Sequence, residues 1–500
     1  MNLTMLLDMA AAGFDDRVAF GTAAHGVTYA DLKVRADVGA AVLRDLGVDS
    51  LVYVAPNGPE FPVALFAAAR AEVPLVPINY RLGAEQMHQL LAHHPDALVV
   101  VEESARDLVG EAGRVRMSPA EWMERTGPAG AGDPGPEPFD PEGVALLLYT
   151  SGTTAAPKAA ILRHRHLTSY VMTTVEFAGA DPDAASLVSV PPYHIAGVSN
   201  TISNLYAGRR VVHLTAFTPQ DWLATVRDEG ITHALVVPTM LARVVEYLDE
   251  IGAPDAAVPT LRSLAYGGAP MPQRIIERAL ALFPTTDFVN AYGLTETSST
   301  VAVLGPDAHR EAAASSDAAV RARLGSAGQL VPDIEAEIRG VDGEVLPLGE
   351  VGELYLRGPQ VSGEYVGRAA AVDDAGWFAT RDRAFVDSEG FLFIEGRADD
   401  TIIRGGENIA PAEIEEVLRT HDAVADVAVL GLPDEEWGQI IAAVVVLRPG
   451  HEPDAEALRA FAREHLRTSK TPDRVEFRTE LPHTETGKLL RRVLLTELTD

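Results

Sequence analysis

The chain has 500 residues, 47% of them hydrophobic, which exceeds one ordinary core and supplies apolar material for more than one domain. Its 41 basic residues stand against 72 acidic ones, and the net charge of −31 repels phosphate backbones and anionic lipid, so nucleic acid is not an expected partner. With no cysteine, disulfides, a thiolate nucleophile and a cysteine-ligated zinc are excluded.

The N-terminus, MNLTMLLDMAAAGFDD, has no basic start and Asp8 interrupts its apolar run, which predicts a first helix rather than a signal peptide. No stretch is apolar for long enough to span a bilayer, and the expected location is cytoplasmic. Short apolar runs then alternate with amphipathic stretches: LVYVAP, VPLVPI, ALVVVE, ALLLYT, LVSVPP, RVVHLT, HALVVPT and SLAYGG, with helical patterns such as EFPVALFAAARA and PQDWLATVRDEG between several of them. This alternation predicts doubly wound α/β layers, whose ligands collect at the carboxyl ends of strands. A Pro/Gly-rich connector, residues 126–143, is expected to separate an N-terminal lobe from the rest of the chain. Its GAGDPG matches a dinucleotide fingerprint in letters only, because a proline lies within it and no helix opens after it. From about Leu324 the texture turns to hairpins with Asp-Gly and Glu-Gly turns, EAEIRGVDGEVLP, GELYLRG and RAFVDSEGFLFIEGR, which fit a small barrel or sheet. After Arg397 comes a compact α+β pattern: the helix APAEIEEVLRTH, strands VADVAVLGL and IIAAVVVL, a helix around AEALRAFAREHL, then RVEFRTEL.

At the end of the strand ALLLYT lies YTSGTTAAPKAAI, residues 149–161. Hydroxyls and amides of such a turn make an anion-binding concavity, to which Lys158 adds a point charge. The chain has only four lysines, Lys33, Lys158, Lys470 and Lys488, so a lysine inside a loop motif stands out. Alone, the segment reads equally well as a polar loop with a solvated lysine. Downstream, in order, come NAYGLTET (290–297), a long run from Trp377 to Glu415 that contains ATRDR, GRADD and RGGENI, and PHTETGK (482–488). Together the four motifs, which span nearly the whole chain, closely resemble the adenylate-forming (AMP-binding) superfamily, and among its members the acyl-CoA and aryl-CoA ligases.

The resemblance implies a large N-terminal domain of two doubly wound sheets plus a small β-barrel, residues 1–396, and a smaller mobile α+β domain, residues 397–500, turning about a hinge near Asp399. It implies an AMP-forming acid–thiol ligase, which uses ATP with Mg²⁺ to make an acyl-AMP from a carboxylic acid and then transfers the acyl group to CoA. Thr150, Ser151, Gly152, Thr153, Thr154 and Lys158 would cradle the β- and γ-phosphates. Gly268, Ala269, Asn290, Ala291, Tyr292 and Gly293 would form the adenine side, with Tyr292 stacked on the ring. Thr295 would bind phosphate and Glu296 would ligate Mg²⁺ as a hard oxygen donor. Asp382 would accept both ribose hydroxyls and Arg397 would support ribose or phosphate. Lys488 would bridge the substrate carboxylate and the α-phosphate. Gly405, Gly406, Glu407 and Trp437 would serve thioester formation once the small domain has rotated. His194 matches a substrate-gating position, with a satisfied core histidine as the alternative, and Trp437 reads alternatively as a core residue. Ile195, Gly197, Ser199, Gly267 and Ser298 fall where the acid pocket is expected, and their small sizes suggest a bulky, mostly apolar acid.

Two departures fall on ATP handling. Ala155 and Ala159 replace loop glycines, and Arg381 stands in place of the glycine before the ribose aspartate, where it could pair with Asp382 or obstruct ATP. Both motivate the expectation that adenylation is weakened or lost, in which case a separate adenylating enzyme would supply acyl-AMP. A stand-alone adenylation enzyme loading a phosphopantetheinyl carrier protein and a non-catalytic acyl-adenylate binder are the other readings. Homodimers are common in such families.

Overall fold

A computed structural model describes the chain apart from residues 129–139, 151–157, 405–406, 435–436, 485–487 and 500, and apart from the side chains of residues 399, 407 and 408. The apolar runs form strands and the stretches between them form helices, in two large sheets. Across the first, the strands run Glu364–Tyr365, Lys158–Arg163, Val144–Thr150, Leu75–Pro77, Leu51–Val54, Leu98–Val101, Val115–Met117. The last five are mutually parallel, as crossover helices require. The second sheet is nine-stranded, and five of its central strands, Ser263–Gly267, Asp287–Leu294, His233–Val236, Ala185–Val188 and Arg210–His213, are also parallel.

Strand alternation sets the layers. Leu51 and Tyr53 join one core, with the helices Thr4–Phe14, Tyr29–Leu46, Glu60–Ala71 and Ile195–Ala207, while Val52 and Val54 join another. The first core also takes in Phe20, Val188 and Val211 of the second sheet, so these helices lie between the two sheets. The opposite face of the nine-stranded sheet, through Ala185 and Leu187, packs on the helices Pro219–Asp228, Pro238–Glu250 and Gln273–Leu282. The result is five layers, helices outside and between two sheets. Thr4–Phe14 is the expected first helix and buries Leu6, Leu7, Ala10 and Phe14.

Two expectations are corrected. The connector around residues 126–143 does not lead to a new lobe, because the strand after it returns to the same sheet, with Leu146 beside Leu75. The expected small barrel is an open antiparallel sheet of four strands among the described residues, in the order Glu335–Arg339, Gly352–Arg357, Phe378–Val386, Leu392–Arg397. Its outer strands do not pair with each other; instead Leu392 bridges Gly328, tying this sheet to the nine-stranded one. Beyond Arg397 the core changes owner. Ile402, Ile409, Ile414, Val427, Val429 and Ile441 form a separate cluster on one face of a three-stranded sheet, and Ala428, Leu430, Leu432 and Leu494 form another on its reverse.

Candidate active site

Three motif residues, Tyr292, Asp382 and Arg397, meet near the end of the strand Asp287–Leu294. Val144–Thr150 and Lys158–Arg163 form a hairpin whose register sets Thr150 opposite Lys158, with the Thr150 hydroxyl 3.4 Å from the Lys158 carbonyl. The two ends of the phosphate-loop candidate are thereby fixed beside each other. Ser151, Gly152, Thr153, Thr154 and Ala155 lie outside the described residues. Ala159 sits in an extended strand with its carbonyl accepting from the Val366 amide at 3.0 Å, so glycine is not needed there.

The nine-stranded sheet contributes the strand Asp287–Leu294. The Asn290 side chain is held by the Ser326 carbonyl at 2.8 Å. Gly293 must be glycine, because a Cβ would meet the Ser299 carbonyl oxygen at 1.8 Å. Gly268, with φ +89°, turns the neighbouring loop back over the strand ends in a conformation that favours glycine, and Ala269 comes next, half-buried. Thr295 and Glu296 open a single turn, Thr295–Thr297, that is braced from below by buried Gln360, whose amide donates to the Thr297 and Thr300 carbonyls at 2.9 Å.

Asp382 is 5% exposed and is aimed by a bulge in Phe378–Val386, where three residues, Thr380 to Asp382, face one on the partner strand. Its amide donates to the Thr380 hydroxyl at 3.0 Å, one carboxylate oxygen pairs with Arg397 Nε at 3.0 Å, and the other accepts from the Tyr292 hydroxyl at 2.5 Å. Arg397 is itself anchored on the Thr380 carbonyl at 2.8 Å. Burial raises the Asp382 pKa from its ordinary value, against the opposing pull of Arg397 and the Tyr292 hydrogen bond. Arg381 occupies the bulge with φ +64° and its side chain is exposed. Lys488 and Glu296 also act on Asp382, and the ion pair that holds this carboxylate is with Arg397.

Lys488 reaches this cluster from the C-terminal segment, where the Thr484 amide donates to its carbonyl at 2.7 Å and its own amide donates to the Thr484 hydroxyl at 2.9 Å. It remains open to solvent, yet the surrounding protein lowers its pKa, through desolvation first and the Arg397 charge second, against Asp400, Asp382 and Glu296. The lysine therefore lies within electrostatic range of the ribose and metal carboxylate candidates. The thiolation candidates lie elsewhere: Trp437 is 46% exposed, with the Arg404 guanidinium 5.3 Å from its ring. Gly405, Gly406 and the Glu407 side chain are outside the described residues, as is the Asp399 side chain; the backbone of Asp399 lies in the one-turn helix Ala398–Asp400.

The acid-pocket reading changes in part. Gly197 is small because a Cβ would meet the Pro191 and Val190 carbonyl oxygens at 2.5 and 2.8 Å, and at Gly267 it would meet the Ala291 carbonyl oxygen at 2.1 Å. Backbone packing, not pocket space, requires these glycines. Ser298 is fully buried and donates to the Gln360 carbonyl at 2.9 Å, while Ser199 donates to the Ser299 hydroxyl at 2.9 Å. His194 caps the helix Ile195–Ala207, and desolvation pulls its pKa down to about 4, so it is neutral at ordinary pH; Ile195 packs against the central core. Nearby a cavity of ≈130 Å³ opens at five strand ends, lined by Asn57, Arg81, Ser189, Phe217, Thr239 and Arg243. The buried Ser189 hydroxyl there has no partner among the described residues.

No group of three or more His, Asp or Glu suited to a metal occurs among the described residues. A single carboxylate such as Glu296 nonetheless fits Mg²⁺, which is commonly held by one or two carboxylates together with substrate phosphates and water. Residues missed in the motifs are Tyr365, Thr380 and Gln360; a tyrosine, a threonine and a glutamine carry no signal of their role in the sequence around them.

Comparison with known proteins places this geometry. The model for AMP-binding enzymes matches residues 7–366 and that for the AMP-binding enzyme C-terminal domain matches residues 413–488. The chain belongs to the AMP-binding enzyme family, as an acid–thiol ligase of the AMP-forming, adenylate-forming kind. A fatty acid–[acyl-carrier-protein] ligase, ScoC of Streptomyces coeruleorubidus, is 34% identical over 94% of this chain and 91% of that protein. A feruloyl-CoA synthase of an Amycolatopsis species is 36% identical over 93% and 94%. The structure of o-succinylbenzoate CoA synthetase from Bacillus subtilis with its acyl-adenylate intermediate is similar at a TM-score of 0.83, 28% identity, covering 98% of this chain and 97% of that one.

Proposed function

We propose that this chain is a complete acyl-CoA ligase for a bulky, ring-bearing carboxylic acid, catalysing both half-reactions at one site. The acid's carboxylate attacks the α-phosphorus of ATP and pyrophosphate leaves; the CoA thiol then attacks the acyl carbon of the adenylate and AMP leaves. The observation that carries this reading is the Asp382–Arg397 pair with Lys488 and Glu296 in electrostatic range of it, where the lysine charge would offset the one that builds between carboxylate and α-phosphate. Asp382, held by Tyr292 and Arg397, presents its carboxylate to the ribose hydroxyls. Mg²⁺ held by Glu296 would neutralise the departing phosphates. The ring-bearing substrate is supported by the feruloyl and succinylbenzoate relatives, and CoA by the arginine-lined cavity, where Arg81 and Arg243 suit a phosphate-bearing acceptor.

The two domains, 1–396 and 397–500, turn about Asp399 in this reading, so that Lys488 withdraws and residues 405–407 with Trp437 take its place. A second reading, in which only thioester formation survives, rests on the sequence departures at Ala155 and Arg381. Mass-spectrometric detection of acyl-CoA from a panel of ring-bearing acids separates the two, started in parallel from acid plus Mg·ATP and from synthetic acyl-AMP, with CoA in both. Product from both starts supports the complete ligase, and product from acyl-AMP alone supports the second reading. Replacing CoA by a phosphopantetheinyl carrier tests the acceptor suggested by the ScoC relative.

A further inference from the structure

We propose that Tyr365 is a positioning residue that ties the metal-binding carboxylate of Glu296 to the lysine-bearing hairpin. The inference rests on the reading of Glu296 as the Mg²⁺ ligand. Residues 362–366 touch both elements. Toward the hairpin, Tyr365 pairs with Ala160 and Glu364 with Ile161 in an antiparallel register, and the Val366 amide donates to the Ala159 carbonyl at 3.0 Å. Arg163 grips Glu364 through two hydrogen bonds of 2.8 and 2.7 Å, the fork geometry that holds a carboxylate most firmly. Toward the metal candidate, the Ser362 amide donates to the Glu296 carbonyl at 2.7 Å.

Tyr365 is where the side chains of the two elements also meet. Its hydroxyl donates to Glu296 Oε1 at 2.5 Å, and the ammonium of Lys158 stands 5.9 Å from its ring centroid, within range of a cation–π contact. Glu296 sits on a single helical turn and has several rotatable bonds, so its carboxylate needs an outside hold. The hydroxyl fixes one oxygen and the rotamer, which leaves Oε2 for a cation brought in with the phosphates. Because the same ring stands within cation–π range of Lys158, one side chain links the carboxylate and the lysine.

The test is calorimetric binding of β,γ-methylene-ATP with and without Mg²⁺, and of AMP, to the wild type, Tyr365→Phe, Glu296→Gln and the double variant. Loss of a group that orients a metal ligand weakens metal-dependent binding about tenfold or more. Tyr365→Phe is therefore expected to weaken the Mg²⁺-loaded analogue by ~10-fold, to leave AMP and the metal-free analogue unchanged, and to add nothing in the Glu296→Gln background. Equal losses for all three ligands, or a loss that persists without Glu296, would overturn it, since either describes a merely structural tyrosine. If Glu296→Gln weakens the Mg²⁺-loaded analogue while Tyr365→Phe does not, this inference fails alone. If Glu296→Gln binds that analogue like the wild type, the metal assignment itself fails.

Discussion

Arg381 shows how one residue can break a local preference while its neighbour keeps its place. The bulge needs a left-handed residue to turn Asp382 inward, and arginine at φ +64° costs roughly 1–2 kcal/mol relative to glycine, whose missing Cβ removes the clash. Its side chain is exposed, so the cost is conformational and falls on stability. Arg381→Gly is accordingly expected to raise the Tm by about 1–3 °C, with little change in the rate of pyrophosphate release. Differential scanning calorimetry and a pyrophosphate assay on the same sample check both halves. A large gain in rate would mean that the arginine obstructs ATP after all. The sequence could mark this position as a departure but not its direction, because letters do not say whether a side chain points into the site or away from it.

Among elements, the helix Ile195–Ala207 carries the clearest contrast between a motif and its physical cause. Its glycine falls where the acid pocket is expected, yet the backbone of the helix rests on the Val190 and Pro191 carbonyls with no room for a methyl. Gly197→Ala should destabilise the protein by about 1–3 kcal/mol, the usual cost of overpacking, without reordering its preference among acids. Thermal melts and a substrate panel measure this, and a changed preference with an unchanged melt would restore the pocket reading. The strands and helices themselves were legible, since the periods of 2 and 3.6 survive in short runs such as LVYV and in amphipathic stretches such as EFPVALFAAARA. The strand Glu364–Tyr365 was not: two residues in a loop-like SGEYVG have no period, and only pairing with Lys158–Arg163 makes them a strand. The barrel was overread for a related reason. Hairpin signals report neighbouring strands, whereas closure depends on whether the first and last meet, which no local pattern encodes.

At the scale of the whole molecule, two properties arise from where charge is kept. His164, His194, His213 and His233 are pulled down to about 4 and His166 to about 3, chiefly by burial. Each then takes up a proton in the unfolded chain, near pH 6.5, well before it does so in the folded one. Stability is greatest above about pH 6.5 and falls as the pH drops toward 4, because the unfolded state binds more protons throughout that window. The Tm should decline steadily from pH 7.5 to 5.5, where carboxylates of ordinary pKa are still ionised; a flat profile would contradict the burial of these rings. The second property is the electrostatic coupling of Lys488 to Asp382, Arg397 and Glu296, on which the assignment of two chemistries to one site depends. The most direct measurement is therefore Lys488→Ala carried through both half-reactions, pyrophosphate release from acid and Mg·ATP and acyl-CoA formation from synthetic acyl-AMP. The account predicts that release falls by about 10²-fold or more, the scale of a lost transition-state charge contact, while transfer from acyl-AMP persists. Equal loss of both would contradict it, because Lys488 would then serve the site in both conformations or hold the fold together.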